Sequence, residues 1–205
     1  MKELTRCLLQ FTPLVQTDFE IDDERQAQMT EHDRDPSAEL REAQSKFRAR
    51  QFDVAYLEAQ SLAKAFPDIP SISAFASATR KSLNAHCKAL IKSGELEKAW
   101  HIFLHLSDDT EFAPALFDSW TDAAVIDLPA TSVAQCLDGF TPSDSDTEKR
   151  KWLTLARIFE QLPSNEKNIE LGFYALRHLP GNKSILDGLD HMINQSQRTA
   201  QSEII

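Results

Sequence analysis

Glycine is scarce in this chain: its 205 residues include five glycines, and the first stands at position 94. A chain of this length with average composition would contain about fourteen. Tight β-hairpins and phosphate-binding loops need glycine, because glycine adopts positive φ and lets a ligand approach the backbone closely. A sheet built on tight hairpins and a nucleotide-binding loop are therefore both disfavoured.

The aliphatic residues indicate helices. The chain contains 23 alanines and 23 leucines but only four valines, and β-branched residues lose side-chain freedom in a helix whereas alanine and leucine do not. We therefore predict an all-α fold. Apolar residues at helical spacing between prolines and other helix-breaking residues predict nine helices, at residues 36–50, 53–66, 71–92, 95–106, 110–126, 131–137, 147–162, 165–179 and 182–195.

Nothing in the sequence indicates a membrane span or a secreted protein. No apolar run approaches the roughly 18 residues needed to cross a bilayer, and the N-terminus lacks the apolar core of a signal peptide. The cysteines at positions 7, 87 and 136 have neither disulfide-framework nor zinc-site spacing. We expect a soluble, cytoplasmic protein.

The net charge of −10 is unevenly distributed. Residues 18–35 contain eight acids and two bases, so they carry −6 of it. Such composition predicts an extended or flexible acidic arm, which is either a plain linker or a binding segment. By contrast, residues 69–94 contain no acid and four bases. We divide the chain into residues 1–35 with the acidic arm, a helical domain at 36–196, and a tail at 197–205.

The second helices of successive hairpins share one apolar spacing, with steps of three, four and three residues. The first members of the four sets follow one another after 44, 37 and 36 residues. This periodicity predicts four two-helix hairpins and a final helix; a non-repeating helical bundle is the alternative. The four sets are Phe52, Ala55, Ala59 and Leu62; Leu96, Ala99, Phe103 and Leu106; Val133, Cys136 and Phe140; and Ile169, Gly172, Leu176 and Leu179.

The second of these units resembles the tetratricopeptide repeat family. In the first unit, Arg50 stands where that family usually has glycine. The resemblance implies a right-handed superhelix of antiparallel hairpins with a C-terminal capping helix. It also explains the small second member of each set, because helices approach closely only where a side chain is small. The residues that carry the resemblance are Leu83, Leu90, Gly94, Leu96, Ala99 and Phe103.

A helical wheel places the bases of the third helix on one side. With Arg80 at zero and about 100° per residue, Lys81, Lys88 and Lys92 fall between about 80° and 120°, away from the apolar residues. In the tetratricopeptide family such first-helix positions line a concave groove, so the resemblance implies a site for an acidic peptide. Ordinary solvated lysines are the alternative. The expected groove residues are Gln44, Arg48, Arg80, Lys81, Asn84, Lys88, Lys92, Asp118, Thr121, Arg157 and Gln161.

Candidate catalytic residues are few. His101 and His105 have the spacing of two metal ligands on a helix, but no third ligand is suggested, so we predict surface histidines. Cys87 is predicted to be a packed thiol. No nucleophile, phosphate-binding or dinucleotide motif occurs, and we therefore predict no enzymatic activity, no cofactor and no metal. We expect the three tryptophans to lie in the core: Trp100, Trp120 and Trp152.

These observations favour a non-catalytic interaction module, an adaptor, scaffold or chaperone-like protein that binds a partner segment in a helical groove. An RNA-binding helical-repeat protein is a second hypothesis, but the net negative charge opposes nucleic-acid binding. A non-catalytic subunit of an enzyme complex is a third. The sequence predicts no membrane partner. A further hypothesis is that the acidic arm occupies the basic groove, of its own chain or of a neighbouring copy, and is displaced by a partner.

Overall fold

A computed structural model describes residues 35–202, with the side chains of 199–202 excepted. The acidic arm, apart from Asp35, therefore lies outside the described residues, as does Cys7. Within the described range the fold is all-α, as predicted, without a strand, and no helix there is long and apolar enough to cross a bilayer. The helices are α1 (Pro36–Arg48), α2 (Phe52–Ala65), α3 (Pro70–Lys92), α4 (Leu96–His105), α5 (Ala113–Asp127), α6 (Ala130–Asp138), α7 (Ser145–Ile158), α8 (Glu166–His178) and α9 (Lys183–Ser202).

Local capping explains where several helices begin. The carboxylate of Asp35 accepts a hydrogen bond from the amide of Ser37 at 2.9 Å, and that of Asp144 accepts one from Thr147 at 2.8 Å. Such side chains satisfy the free amides of the first helical turn. Helices α1, α3 and α5 each carry a proline in the first turn, where the missing N–H costs nothing.

Three boundaries differ from the predicted ones by three residues or more. Helix α5 begins at Ala113 rather than at residue 110, because Asp109 accepts hydrogen bonds from the amides of Glu111 and Phe112 and so forms a capped turn. Helix α7 ends at Ile158 and passes into a 3-10 helix at Phe159–Gln161. Helix α9 continues to Ser202, beyond residue 195, since no proline or glycine follows Gly188.

Helices adjacent in sequence pack against each other along the chain. In addition, α3 packs against α5, α5 against α7, and α7 against α9, so alternate helices form a continuous layer. The second helices α2 and α4 also touch. Helices α3, α5 and α7 therefore lie side by side in the fold.

An aromatic cluster occupies the centre of the fold. Trp100 and Trp120 have ring centroids 4.3 Å apart, and Phe103 and Phe140 have centroids 5.3 Å apart. Phe117 completes the cluster, and all five side chains are buried. The expected core positions of Trp100 and Trp120 are thus confirmed, and Trp152 is also buried.

The first two hairpins close with the same turn, 44 residues apart. After α1, the amide of Arg50 donates to the carbonyl of Phe47 and the amide of Gln51 to that of Lys46. After α3, Gly94 and Glu95 donate to the corresponding carbonyls of Ile91 and Leu90. This is the Schellman arrangement, whose central residue needs positive φ. Arg50 has a φ of 63° and Gly94 a φ of 77°. The prediction that the first helix continues to residue 50 is therefore wrong, because this turn ends the helix at Arg48.

Arg50 is strained because a side chain in the left-handed region costs about 1–2 kcal/mol. We expect Arg50→Gly to raise the free energy of unfolding by about 0.5–1 kcal/mol, since part of the relief is offset by the greater flexibility of unfolded glycine. Gly94→Ala should lower it by a similar amount, because no atom lies within 4 Å of the added Cβ and only backbone strain changes. Urea unfolding followed by circular dichroism measures both values.

Arg50→Ala is the control, because it removes the guanidinium and keeps the strained backbone. It should leave the stability within about 0.5 kcal/mol of the wild type. An equal gain from Arg50→Ala and Arg50→Gly would contradict the backbone explanation and would assign the effect to the Arg50 side chain.

Candidate interaction face

Helix α3 has one buried side and one open side. Apolar residues recur along it every three or four positions, which places them on one arc of the helix. This arc packs into the core and fixes the rotation of the helix about its axis. The buried residues are Ile72, Ala76, Thr79, Leu83, Cys87 and Leu90.

The open side of α3, which we call the α3 face, consists of small residues and lysines. Lys81, Lys88 and Lys92 are exposed, and none of them pairs with an acid among residues 35–202. Because α3 contains no acid, its own side chains cannot neutralise them. The remaining members have small side chains, so a partner can approach the helix backbone between the lysines. They are Ala74, Ser77, Ala78, Ala85 and Ala89.

The arginines of α7 behave differently from these lysines. Arg157 pairs with Asp122 of α5 at 3.2 Å, and Arg150 pairs with Asp118 of the same helix. Asp118 and Arg157, both expected to line the groove, are therefore joined to partners within the protein. These two pairs hold α5 beside α7 and engage both arginines of α7, whereas Lys149 of the same helix is exposed.

Arg80 is also engaged within the fold. Its Nε lies 2.7 Å from Asp109 Oδ2, without the alignment of a hydrogen bond, and its terminal nitrogen pairs with Glu111. The guanidinium lies 4.9 Å from the ring centroid of Phe112. Arg80 thus ties α3 to the connection between α4 and α5, which makes it a structural residue and not a free groove cation.

Thr121 and Asn84, both expected in the groove, are largely inaccessible to a partner. Thr121 is 4% exposed, and its hydroxyl donates to the carbonyl of Asp118 at 3.0 Å. It therefore offers no polar atom to a partner. Asn84 is half-buried, and its buried Oδ1 accepts no hydrogen bond from residues 35–202.

The other expected groove residues lie on more distant elements. Gln44 is half-buried and Arg48 exposed on α1, whereas Gln161 is exposed at the end of the 3-10 helix. No hydrogen bond or ion pair within the described range joins any of the three to α3. Of the predicted groove residues, Lys81, Lys88 and Lys92 therefore remain together as exposed cations on the α3 face, where small residues that were not predicted lie between them.

The residues weighed for chemistry have structural surroundings. Cys87 is fully buried, its Sγ donates to the carbonyl of Ala99 at 3.4 Å, and burial raises the pKa of its thiol to about 11. The prediction of a packed thiol is confirmed. His101 and His105 are exposed, as expected. Within residues 35–202 no three His, Cys, Asp or Glu side chains gather as metal ligands.

One lysine is buried although the sequence pattern does not indicate it. Lys151 of α7 is 7% exposed, its Nζ donates to the carbonyl of Phe140, and the ammonium lies 4.8 Å from the ring centroid of Trp152. Burial lowers the pKa of this ammonium. No local spacing signals this position, because the acceptor is a backbone carbonyl in the connection between α6 and α7. Lys151 closes that connection.

Comparison with known proteins assigns no residues to this site. The α3 face is thus defined by this chain's own burial, charge and packing. No protein-family model, curated protein or solved structure matches the chain.

Proposed function

We propose that this chain is a non-catalytic protein-interaction module that binds an acidic segment of a partner protein along the α3 face. One observation carries the proposal: Lys81, Lys88 and Lys92 are exposed and unpaired in residues 35–202, whereas the arginines of α7 are paired with aspartates. A helix face kept only for solubility usually mixes both signs of charge. A face of one sign favours an oppositely charged partner.

The layered packing supports a groove of the tetratricopeptide kind. We infer that the hairpins α1–α2 and α3–α4 are two copies of one repeat, because they close with the same turn and bury equivalent alanines, Ala55 and Ala99. In a right-handed superhelix built this way, α3, α5 and α7 would line the concave side. The α3 face would then be one wall of that groove.

Charge alone does not make this face a tight binder. An exposed ion pair contributes about 0.2–1 kcal/mol, so three lysines give a weak, salt-sensitive interaction. The alanines between them supply the second component, since a partner's apolar side chains can approach the helix closely there. The best-suited partner segment therefore alternates acidic and apolar residues.

We expect Lys81→Glu/Lys88→Glu to weaken binding of an acidic-apolar probe peptide by about tenfold or more, because attraction is replaced by repulsion. The probe is a fluorescein-labelled peptide of alternating glutamate and leucine or phenylalanine, and the measurement is fluorescence anisotropy at low and physiological salt. Equal affinity of the wild type and this variant would contradict the assignment of the face.

The matched control is Lys64→Glu/Lys183→Glu, which changes the net charge equally through exposed lysines of α2 and α9. Its affinity for the probe should stay within about twofold of the wild type at physiological salt, where screening removes most long-range effects. A single-stranded oligouridine titrated in parallel tests the RNA hypothesis. Tighter binding of oligouridine, lost in the α3 variant, would replace the peptide proposal with RNA binding.

A further inference from the structure

The α3 face has an oppositely charged counterpart in its own chain. Residues 18–34, which lie outside the described residues, contain seven acids and two bases. We propose that this segment lies along the α3 face of the same molecule and competes there with the partner. The inference rests on the proposed function and adds a built-in competitor to it.

The charge distribution selects the α3 face as the docking surface. The segment needs several free cations close together without an acid beside them. Other exposed lysines, such as Lys64 and Lys183, stand on helices that also carry acids. Arg80, Arg150 and Arg157 are already paired with acids. On α3, by contrast, three exposed lysines lack an acidic partner within the described range, and residues 69–94 contain no acid to repel the segment.

The side chains of the segment also suit this surface. Phe19, Ile21 and Met29 are its large apolar residues, and they stand among the acids. The exposed alanines of the α3 face, such as Ala78 and Ala85, leave room for apolar side chains between the lysines. Acidic and apolar residues in one segment therefore match lysine and alanine on one helix face.

The segment is long enough to reach every lysine of the face. Its seventeen residues span up to about 56–61 Å when extended. It joins the fold at Asp35, the N-cap of α1, and α1 contacts α3 through Phe47 and Phe75, whose ring centroids are 5.9 Å apart. The 13 residues of α1 and the 23 of α3 are about 20 Å and 35 Å long. The fully extended segment is at least as long as these two helices end to end, so it can reach every lysine of the face.

The first test is carbodiimide crosslinking of the full chain, which joins a carboxylate to an amine only in direct contact. We expect linkages from Asp22, Asp23 or Glu24 to the lysines of the α3 face, at least about fivefold stronger than to Lys64 or Lys183. They should disappear at about 1 M salt, where charges are screened within about 3 Å. Linkages spread evenly over all exposed lysines would overturn the proposal.

A mixture of normal and isotopically heavy chains identifies the source of the segment. Linkages within one isotopic form support docking on the same molecule. Linkages that join light to heavy chains in statistical proportion show that a second copy supplies the segment, and they overturn the proposal as stated.

The second test separates this inference from the proposed function. In the full chain, Asp22→Asn/Asp23→Asn/Glu24→Gln should raise the affinity for the acidic-apolar probe peptide by about three- to tenfold, because the competitor is weakened. Unchanged affinity without specific crosslinks overturns the inference and leaves the function intact. Specific crosslinks with no probe binding in either form overturn the function and leave the docking intact.

Discussion

Trp120→Ala should lower the free energy of unfolding by about 3–5 kcal/mol, the range for removing a large aromatic from a packed core. Trp120 of α5 is fully buried, with its ring centroid 4.3 Å from that of Trp100. Its indole N–H also donates to the carbonyl of Leu96 at 2.8 Å. The substitution therefore opens a cavity between α4 and α5 and removes the indole donor from the Leu96 carbonyl.

Two comparison variants separate these contributions. Trp120→Phe keeps much of the packing and removes the hydrogen bond, so it should cost less than Trp120→Ala but at least about 1 kcal/mol. Phe173→Ala removes an aromatic side chain that is 53% exposed, and it should change the stability by less than about 1 kcal/mol.

Urea unfolding followed by far-ultraviolet circular dichroism gives the three values without relying on tryptophan fluorescence. A cost for Trp120→Ala no larger than that for Phe173→Ala would contradict the central position of the aromatic cluster. A change in the m-value, the slope of the unfolding free energy against urea concentration, would show that the variant alters the compactness of the folded or the unfolded state.

Gly172→Ala should lower the free energy of unfolding by about 1–3 kcal/mol, the usual cost of overpacking. The sign is opposite to intrinsic helix propensity, which favours alanine over glycine by about 1 kcal/mol. The reason is steric, because an added Cβ would lie 2.4 Å from Cζ of Phe159 and 2.7 Å from Cδ2 of Leu189. The side chains of Phe159 and Leu189 are both buried, so neither can move out into solvent to make room.

Gly139→Ala is the matched control, since the nearest atom to its Cβ is 3.9 Å away and its φ is not positive. It should leave the stability within about 0.5 kcal/mol of the wild type. Calorimetry or urea unfolding measures both variants. Gly188→Ala should be costly like Gly172→Ala, because its Cβ would lie 2.6 Å from Cδ1 of the same ring.

A double-mutant cycle tests the contact itself. Phe159→Leu lacks the Cζ atom that meets Gly172, so Gly172→Ala should cost less in that background than in the wild type. Equal costs in both backgrounds would contradict the steric explanation. The experiment also tests the small slot that the repeat spacing predicted at Gly172, where the structure shows close packing of α8 and α9 around Phe159.

Much of the fold was accessible from local sequence. The predicted third helix at residues 71–92 agrees with α3 at Pro70–Lys92, because proline at its start and Ser93-Gly94 at its end act within one turn. The end of α9 was predicted too early, since a polar surface pattern does not stop a helix without a breaking residue. The turn at Arg50 was missed, because the helix was predicted to continue to residue 50 and Arg50 is not a residue type that favours positive φ.

The interaction site was less accessible from sequence than the fold. A helical wheel separates buried from exposed residues, but it does not show which exposed charges have partners. Arg80 pairs with Glu111, 31 positions later, and Arg157 with Asp122, 35 positions earlier. Thr121 was predicted to line the groove, but it is only 4% exposed.

By itself, the sequence determined the helical class, the end of α3 at Ser93-Gly94, and the separation of an acidic segment from an acid-free helix. These properties follow from propensity, periodicity and charge, which act over a few residues. Only the tertiary structure decided which cations stay free. Ion pairing between helices depends on how α3, α5 and α7 pack, and that packing engages Arg80 and Arg157 while it leaves Lys81, Lys88 and Lys92 exposed.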